Sequence, residues 1–142
     1  MAPVDHGKLR SHVDFVRSTV RKLEQLRAAG RDAFMSDEVA QAAATRWLQT
    51  AVEALIDMAN HVIAREGLGV PRAYSDAMEI LVRERILPAE RRDTFLAMVR
   101  FRNRAVHLYD KVGADEIWRI LQEDLGNFDV FIRAIVVRYF AD

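Results

Sequence analysis

From Ser36 to Glu66 the chain runs without a glycine or proline, while Leu48, Val52, Leu55, Ile56, Ala59, Val62 and Ile63 recur three and four residues apart. That rhythm gathers the apolar side chains on one arc of an α-helix. Gly67, Gly69 and Pro71 then stop it. On the opposite arc lie Glu53, Asp57, Asn60 and, at the margin, His61, brought together by the same spacings. Two carboxylates and a histidine on successive turns could chelate a metal. A metal site in a helical bundle usually draws its ligands from several helices, however. A solvated or salt-bridged polar face is therefore the expected reading, with no metal and no cofactor assigned.

The same rhythm recurs along the chain. Leu9, Val13, Val16, Val20 and Leu23 form a stripe on a helix that Asp5 is placed to cap and Gly30 to end. Such a stripe serves either as a packing face within the domain or as a seam to a partner, and the first use is commoner. Tyr74 to Ile86 reads as a short helix with Met78, Leu81 and Val82 inward. Pro88 suits the first turn of the next helix, where its missing N–H is not needed, and Glu90 follows where an acid favours the dipole. Phe95, Met98, Val99, Ala105 and Val106 form that helix's apolar arc. A last helix is predicted from Ala114 to Phe140, loosened or bent at Gly126-Asn127. Its end is rich in β-branched and aromatic residues, yet Asp129, Arg133 and Arg138 fit one helical side better than strict alternation. No repeat, low-complexity tract or linker intervenes. The expected fold is all-α: an up-and-down bundle of four long helices plus one short helix, forming a single domain over residues 1–142.

With 142 residues, one core suffices to bury roughly two-thirds of the unfolded surface. Lysine plus arginine balance aspartate plus glutamate at 21 each, so net charge advertises neither nucleic acid nor membrane. The absence of cysteine excludes disulfides, thiolate metal sites and cysteine nucleophiles, and is compatible with a reducing cytoplasm. There is no basic-then-apolar leader, and charges interrupt every apolar stretch well before a membrane span's length. A cytoplasmic protein without a membrane partner is expected.

Against this background one stretch stands out: Arg102-Asn103-Arg104-Ala105-Val106-His107-Leu108-Tyr109. A permanent cation, an amide, an imidazole and a phenol fall within about two helical turns, roughly 10 Å of axial rise. Arginine offers a planar fork of donors to phosphoryl oxygens, and histidine exchanges protons near neutral pH. Arg102 falls in the middle of its helix's apolar arc. Three explanations stand: a buried stem with its head in water, a pair with a buried carboxylate, for which Glu53 and Asp57 are candidates, or a shared cleft. His107 has an ordinary reading as a histidine near a helix end, and Tyr109 as a packing residue beside Phe95 and Val106. On an ideal helix Arg102 and His107 sit about 7.5 Å apart along the axis and about 140° around it. A long arginine can span much of that gap, or a second copy of the chain can complete the site across a twofold axis. Arg83, Arg85, Arg91, Arg92, Arg100 and Arg104 outnumber nearby Glu84, Glu90 and Asp93, a modest basic surplus suited to steering a phosphate backbone.

Arg102-Asn103, three residues, His107, one residue and Tyr109 resemble the R-N-x-x-x-H-x-Y pattern of the HEPN superfamily, specifically its small HepT-like toxins of type VII toxin–antitoxin systems. The stretch Glu53-Ala54-Leu55-Ile56-Asp57-Met58-Ala59-Asn60-His61 is similar to the family's second helix, so the likeness covers most of the chain. It implies an all-α symmetric dimer whose paired motifs meet in a cleft and act as a metal-independent ribonuclease on tRNA or mRNA. Arg102 and His107 would be the catalytic pair and Asn103 would position them; on the reading of the residues themselves, a pairing with Glu53 or Asp57 would also aim the Arg102 guanidinium. The resemblance also implies a partner, a minimal nucleotidyltransferase (MNT) antitoxin that silences the toxin by AMPylating Tyr109. Downstream the chain departs from the family pattern, with Leu108 apolar and Asp110-Lys111-Val112-Gly113-Ala114-Asp115 replacing a tighter acidic turn. A non-catalytic helical module that binds a nucleotidyltransferase or a nucleotide is the alternative.

Overall fold

The computed structural model of the protein describes residues 3–107 and 112–140. Among them, helices α1 (His6–Ala28), α2 (Arg31–Met35), α3 (Glu38–Glu66), α4 (Tyr74–Arg83), α5 (Arg92–Val106), α6 (Ala114–Glu123) and α7 (Gly126–Tyr139) account for the regular structure, with a 3₁₀ turn at Ala89–Arg91. The all-α expectation holds.

α3 is the axis. It packs against α1, α2, α4, α5 and α6, and from Ala51 to Ile63 every residue except Glu53, Asp57 and Asn60 is buried. A helix covered around most of its circumference must be apolar around most of it, and the three exceptions form the polar stripe seen in the sequence. Asp37 begins α3 by accepting from the amides of Val39 and Ala40 at 3.0 and 3.1 Å, satisfying orphan donors of the first turn. Gly67 ends it at φ 65°, a left-handed conformation that costs glycine little, and donates its N–H to the Ile63 carbonyl.

The α1 stripe of Leu9, Val13, Val16 and Leu23 is buried within the chain, against α3 above all. It is a packing face, the commoner of its two possible uses. Asp5 caps α1 as expected, accepting from Lys8 N at 3.0 Å. Aromatic pairs tie the outer helices in: Phe95 of α5 meets Phe131 of α7 edge to face at 5.9 Å, and Phe34 of α2 lies 5.6 Å from Trp118 of α6 with the rings tilted by 34°. Phe34, Phe95 and Phe131, all fully buried, each contribute about 1.5–3 kcal/mol of transfer free energy.

Three boundaries differ from expectation. α2 was not anticipated, because five residues are too few for a period to register; it forms because Phe34 has a place in the core, 2% exposed. α4 stops at Arg83, where Ile86 N bonds back to Leu81 O at 2.9 Å and Arg85 takes φ 60°. The expected last helix is two helices, α6 and α7, parted at Asp124 and Leu125. Gly126 is a weak helix former, and the break lets Leu125 and Phe128 both be buried.

Candidate active site around Arg102

From the polar stripe of α3, Glu53 faces the end of α5 that carries the motif. Arg102 leaves α5 with its side chain only 19% exposed and donates Nε–H to Glu53 Oε2 at 2.9 Å. Its Nη1 donates to Asn103 Oδ1 at 3.2 Å. The guanidinium carbon sits 4.9 Å from the centre of the Tyr74 ring, at the start of α4. Of the three explanations for an arginine on an apolar arc, a carboxylate pair is the one observed. Glu53 also accepts from Gln49 Nε2 at 3.2 Å, which directs its carboxylate from the same helix.

The guanidinium is thus held by two acceptors and by its place over a ring. Neither acceptor takes Nη2. A planar donor fork with a held orientation and an end that none of the described residues is shown to claim suits a phosphoryl oxygen better than a mobile surface arginine does.

α5 ends before the motif does. Val106 is its last residue, and His107 is the C-cap with extended backbone, φ −94° and ψ 126°, its N–H bonded to Arg104 O at 3.2 Å. The ideal-helix angle between Arg102 and His107 therefore does not apply, since the chain has left the helix at the imidazole. His107 is exposed. Tyr109 and the rest of 108–111 lie outside the described residues, so the packing and modification expectations for Tyr109 have no structural account. The flanks of that connection are anchored: Arg104 pairs with Glu116 of α6 at 2.8 Å, and Arg31 of α2 with Asp115 at 3.3 Å.

Asp57, expected to support Arg102, faces α1 instead. Its Oδ2 lies 3.6 Å from His12 Nε2, while His12 Nδ1 is 2.9 Å from Lys8 O. A carbonyl only accepts, so Nδ1 carries the proton. Sequence reasoning missed both Tyr74 and His12, because each meets the α3 stripe or the motif from a distant helix and has no local spacing signal. His61, at the margin of that stripe, is 7% exposed and accepts from Asp5 N at 2.9 Å. Burial, followed by the positive charges of Arg65 and Lys8, holds its pKa below the usual 6.5. It works as a buried acceptor that ties the N-terminus to α3. Among the described residues no group of three or more histidines and carboxylates is arranged to hold a metal ion.

The basic surplus noted in the sequence is largely committed. Arg83 pairs with Glu84 and Arg92 with Glu79 and Asp93. On the side of α5 that carries Asn103 and Arg104, a cleft of about 570 Å³ opens between apolar residues of α3, α5, α6 and α7, among them Val52, Met98, Phe101, Ile120 and Phe128. No helix among the described residues is long and apolar enough to cross a membrane.

The structure is an all-α bundle with an arginine clamped between a central carboxylate, an amide and an aromatic ring, and a histidine at the end of the same helix. The family model described as Ribonuclease HepT-like matches residues 16–135, and the chain belongs to that family. It is 29% identical over 120 residues to the mRNA nuclease HepT of Shewanella oneidensis, spanning 84% of this chain and 90% of that protein. Among solved structures it is similar to the tri-AMPylated Shewanella oneidensis HEPN toxin in complex with MNT antitoxin, at 27% identity and TM-score 0.85, covering 92% of this chain and 98% of that one. It shares its fold, at 22% identity and TM-score 0.79, with the cytosolic protein YutE of Bacillus subtilis, over 100% of this chain and 97% of that one.

Proposed function

We propose that this chain is the toxin of a toxin–antitoxin pair: a metal-independent ribonuclease, acting as one domain in the cytoplasm, that cleaves tRNA or mRNA and is silenced by an MNT-type nucleotidyltransferase. The observation that carries the reading is the clamp on Arg102 by Glu53 and Asn103, with exposed His107 at the end of the same helix. Family membership and the relatives named above support it.

RNA brings its own nucleophile, so the protein has only to move protons and stabilise charge. The ribose 2′-oxygen forms a bond to the adjacent phosphorus while the bond from phosphorus to the 5′-oxygen breaks. The proton lost from the 2′-hydroxyl is balanced by the one gained at the 5′-oxygen, with His107 as the group that accepts or delivers it. Arg102 supplies donors to the phosphoryl oxygens as negative charge builds, and Asn103 holds the guanidinium or the phosphate. The products are a 2′,3′-cyclic phosphate and a 5′-hydroxyl. Two copies of the chain, related by a twofold axis, would bring two such motifs to one cleft. AMPylation of Tyr109, two residues from His107, would place phosphate charge in the anion site and repel RNA.

Expression in a bacterial host should arrest growth, and His107→Ala or Arg102→Ala should restore it. Purified protein should cleave RNA in the presence of a chelator, and a single 2′-deoxy substitution at the cleaved position should block the cut. Toxicity that survives both substitutions would overturn the assignment of these residues. Intact RNA alongside tight binding of a nucleotidyltransferase or nucleotide would favour the non-catalytic module.

A further inference from the structure

The residue that holds the face of Arg102 is neither in the motif nor on the helix that supports it. Tyr74 opens α4, beyond the Gly67-Leu68-Gly69-Val70-Pro71 connection, and its ring centre lies 4.9 Å from the Arg102 guanidinium carbon. It is 43% exposed, one of the few large unburied aromatics, so the core does not account for it. We infer that Tyr74 is a positioning residue for the ribonuclease reaction: its ring is the floor that sets the tilt of the Arg102 guanidinium, and with it the direction of the donors offered to the phosphate. The inference rests on the function proposed above and deepens it.

The geometry gives such a floor a task. Glu53 at Nε and Asn103 at Nη1 fix two edges of the guanidinium, but hydrogen bonds in the plane leave rotation of that plane about its long axis weakly restrained. A ring beneath it removes that freedom, and the negative face of the aromatic attracts the cation. The hydroxyl is not needed for either effect. The floor is itself anchored: Asp76 Oδ2 accepts from the amides of Arg72 and Ala73 at 2.9 and 3.1 Å, closing the first turn of α4 on which Tyr74 sits. The three contacts come from α3, α4 and α5, so the donor direction is set where three helices meet.

The test is cleavage of a defined RNA oligonucleotide by purified full-length protein, with kcat and KM separated and melting followed by circular dichroism. Tyr74→Phe, which keeps the ring, should stay within about threefold of wild type. Tyr74→Ala and Tyr74→Leu should lower kcat about 10- to 100-fold, the loss expected when a reacting group is slightly misplaced, with KM changed less and melting close to wild type. Tyr74→Leu keeps apolar bulk without the ring face; if it cleaves like wild type, simple packing explains the contact and the inference fails. Equal activity of Tyr74→Ala and wild type overturns it outright. Wild-type protein that cleaves nothing, or that cleaves no better than His107→Ala, instead overturns the function on which the inference depends.

Discussion

Two histidines sit at helix ends in this molecule and do opposite things. His61, near the C-terminal end of α3, is buried, and its Nε2 is taken by the Asp5 amide. His107 caps α5 in extended conformation and faces solvent. The first has an acceptor role that fixes its tautomer and keeps it neutral. The second is exposed, one turn beyond Arg102 along the chain, and under the function proposed above it is the group that moves protons. What an imidazole can do is thus set by what surrounds it, since the residue type is the same.

That contrast can be broken most sharply by removing the two rings in turn. His107→Ala should reduce RNA cleavage by about 10²- to 10⁴-fold, the usual worth of a positioned proton-transfer group, with melting little changed. A variant that keeps wild-type turnover would erase the distinction between the two sites. Glu53→Ala comes next: it leaves Arg102 partly buried without its carboxylate. Turnover should fall by at least tenfold and stability by about 1–2 kcal/mol, near the range for a hydrogen bond to a charged group, measured by kinetics and urea titration of one preparation.

His61→Ala should show the reverse pattern, losing about 1–3 kcal/mol of stability for the unpaired Asp5 amide while cleavage per folded molecule stays at the wild-type level. Its titration sharpens the point. Because burial holds the folded pKa below 6.5, the unfolded chain binds that proton at higher pH than the folded one does. The stabilisation from neutral His61 is therefore complete above about pH 6.5 and declines as pH falls through the window below it, levelling off beneath the folded value. Wild type should lose stability between pH 7.5 and 5.5 by more than His61→Gln does; equal losses would remove His61 as the cause. The smallest effect lies outside both regions. Arg85 takes φ 60° in the turn that ends α4, so Arg85→Gly should raise stability by about 0.5–1 kcal/mol in thermal melts by relieving the left-handed conformation.

The helices were largely legible because their signal is local. The stripe of Leu9, Val13, Val16 and Leu23, the caps at Asp5 and Gly67, and the Glu53-Asp57-Asn60 arc all depend on spacings of three to four residues. Where that signal was short or continuous, it misled. α2 was too brief to register, and the unbroken rhythm across Asp124 hid the division between α6 and α7. At the site, the motif identified Arg102 and His107 as unusual, and Glu53 and Asp57 as candidate partners. The choice between those carboxylates was not readable: one turn apart on α3, they face different helices, Glu53 toward α5 and Asp57 toward α1.

By itself, then, the chain determined an all-α fold around one long central helix and the chemical groups available at the end of α5, because helical periodicity and residue type are properties of neighbours in sequence. Only the tertiary structure decided which carboxylate holds Arg102, that Tyr74 lies under it, and that His61 is buried while His107 is exposed. Those facts depend on contacts between helices whose residues lie far apart along the chain. The relative rotation and approach of packed helices are set by how all their side chains fit together, which no local pattern encodes.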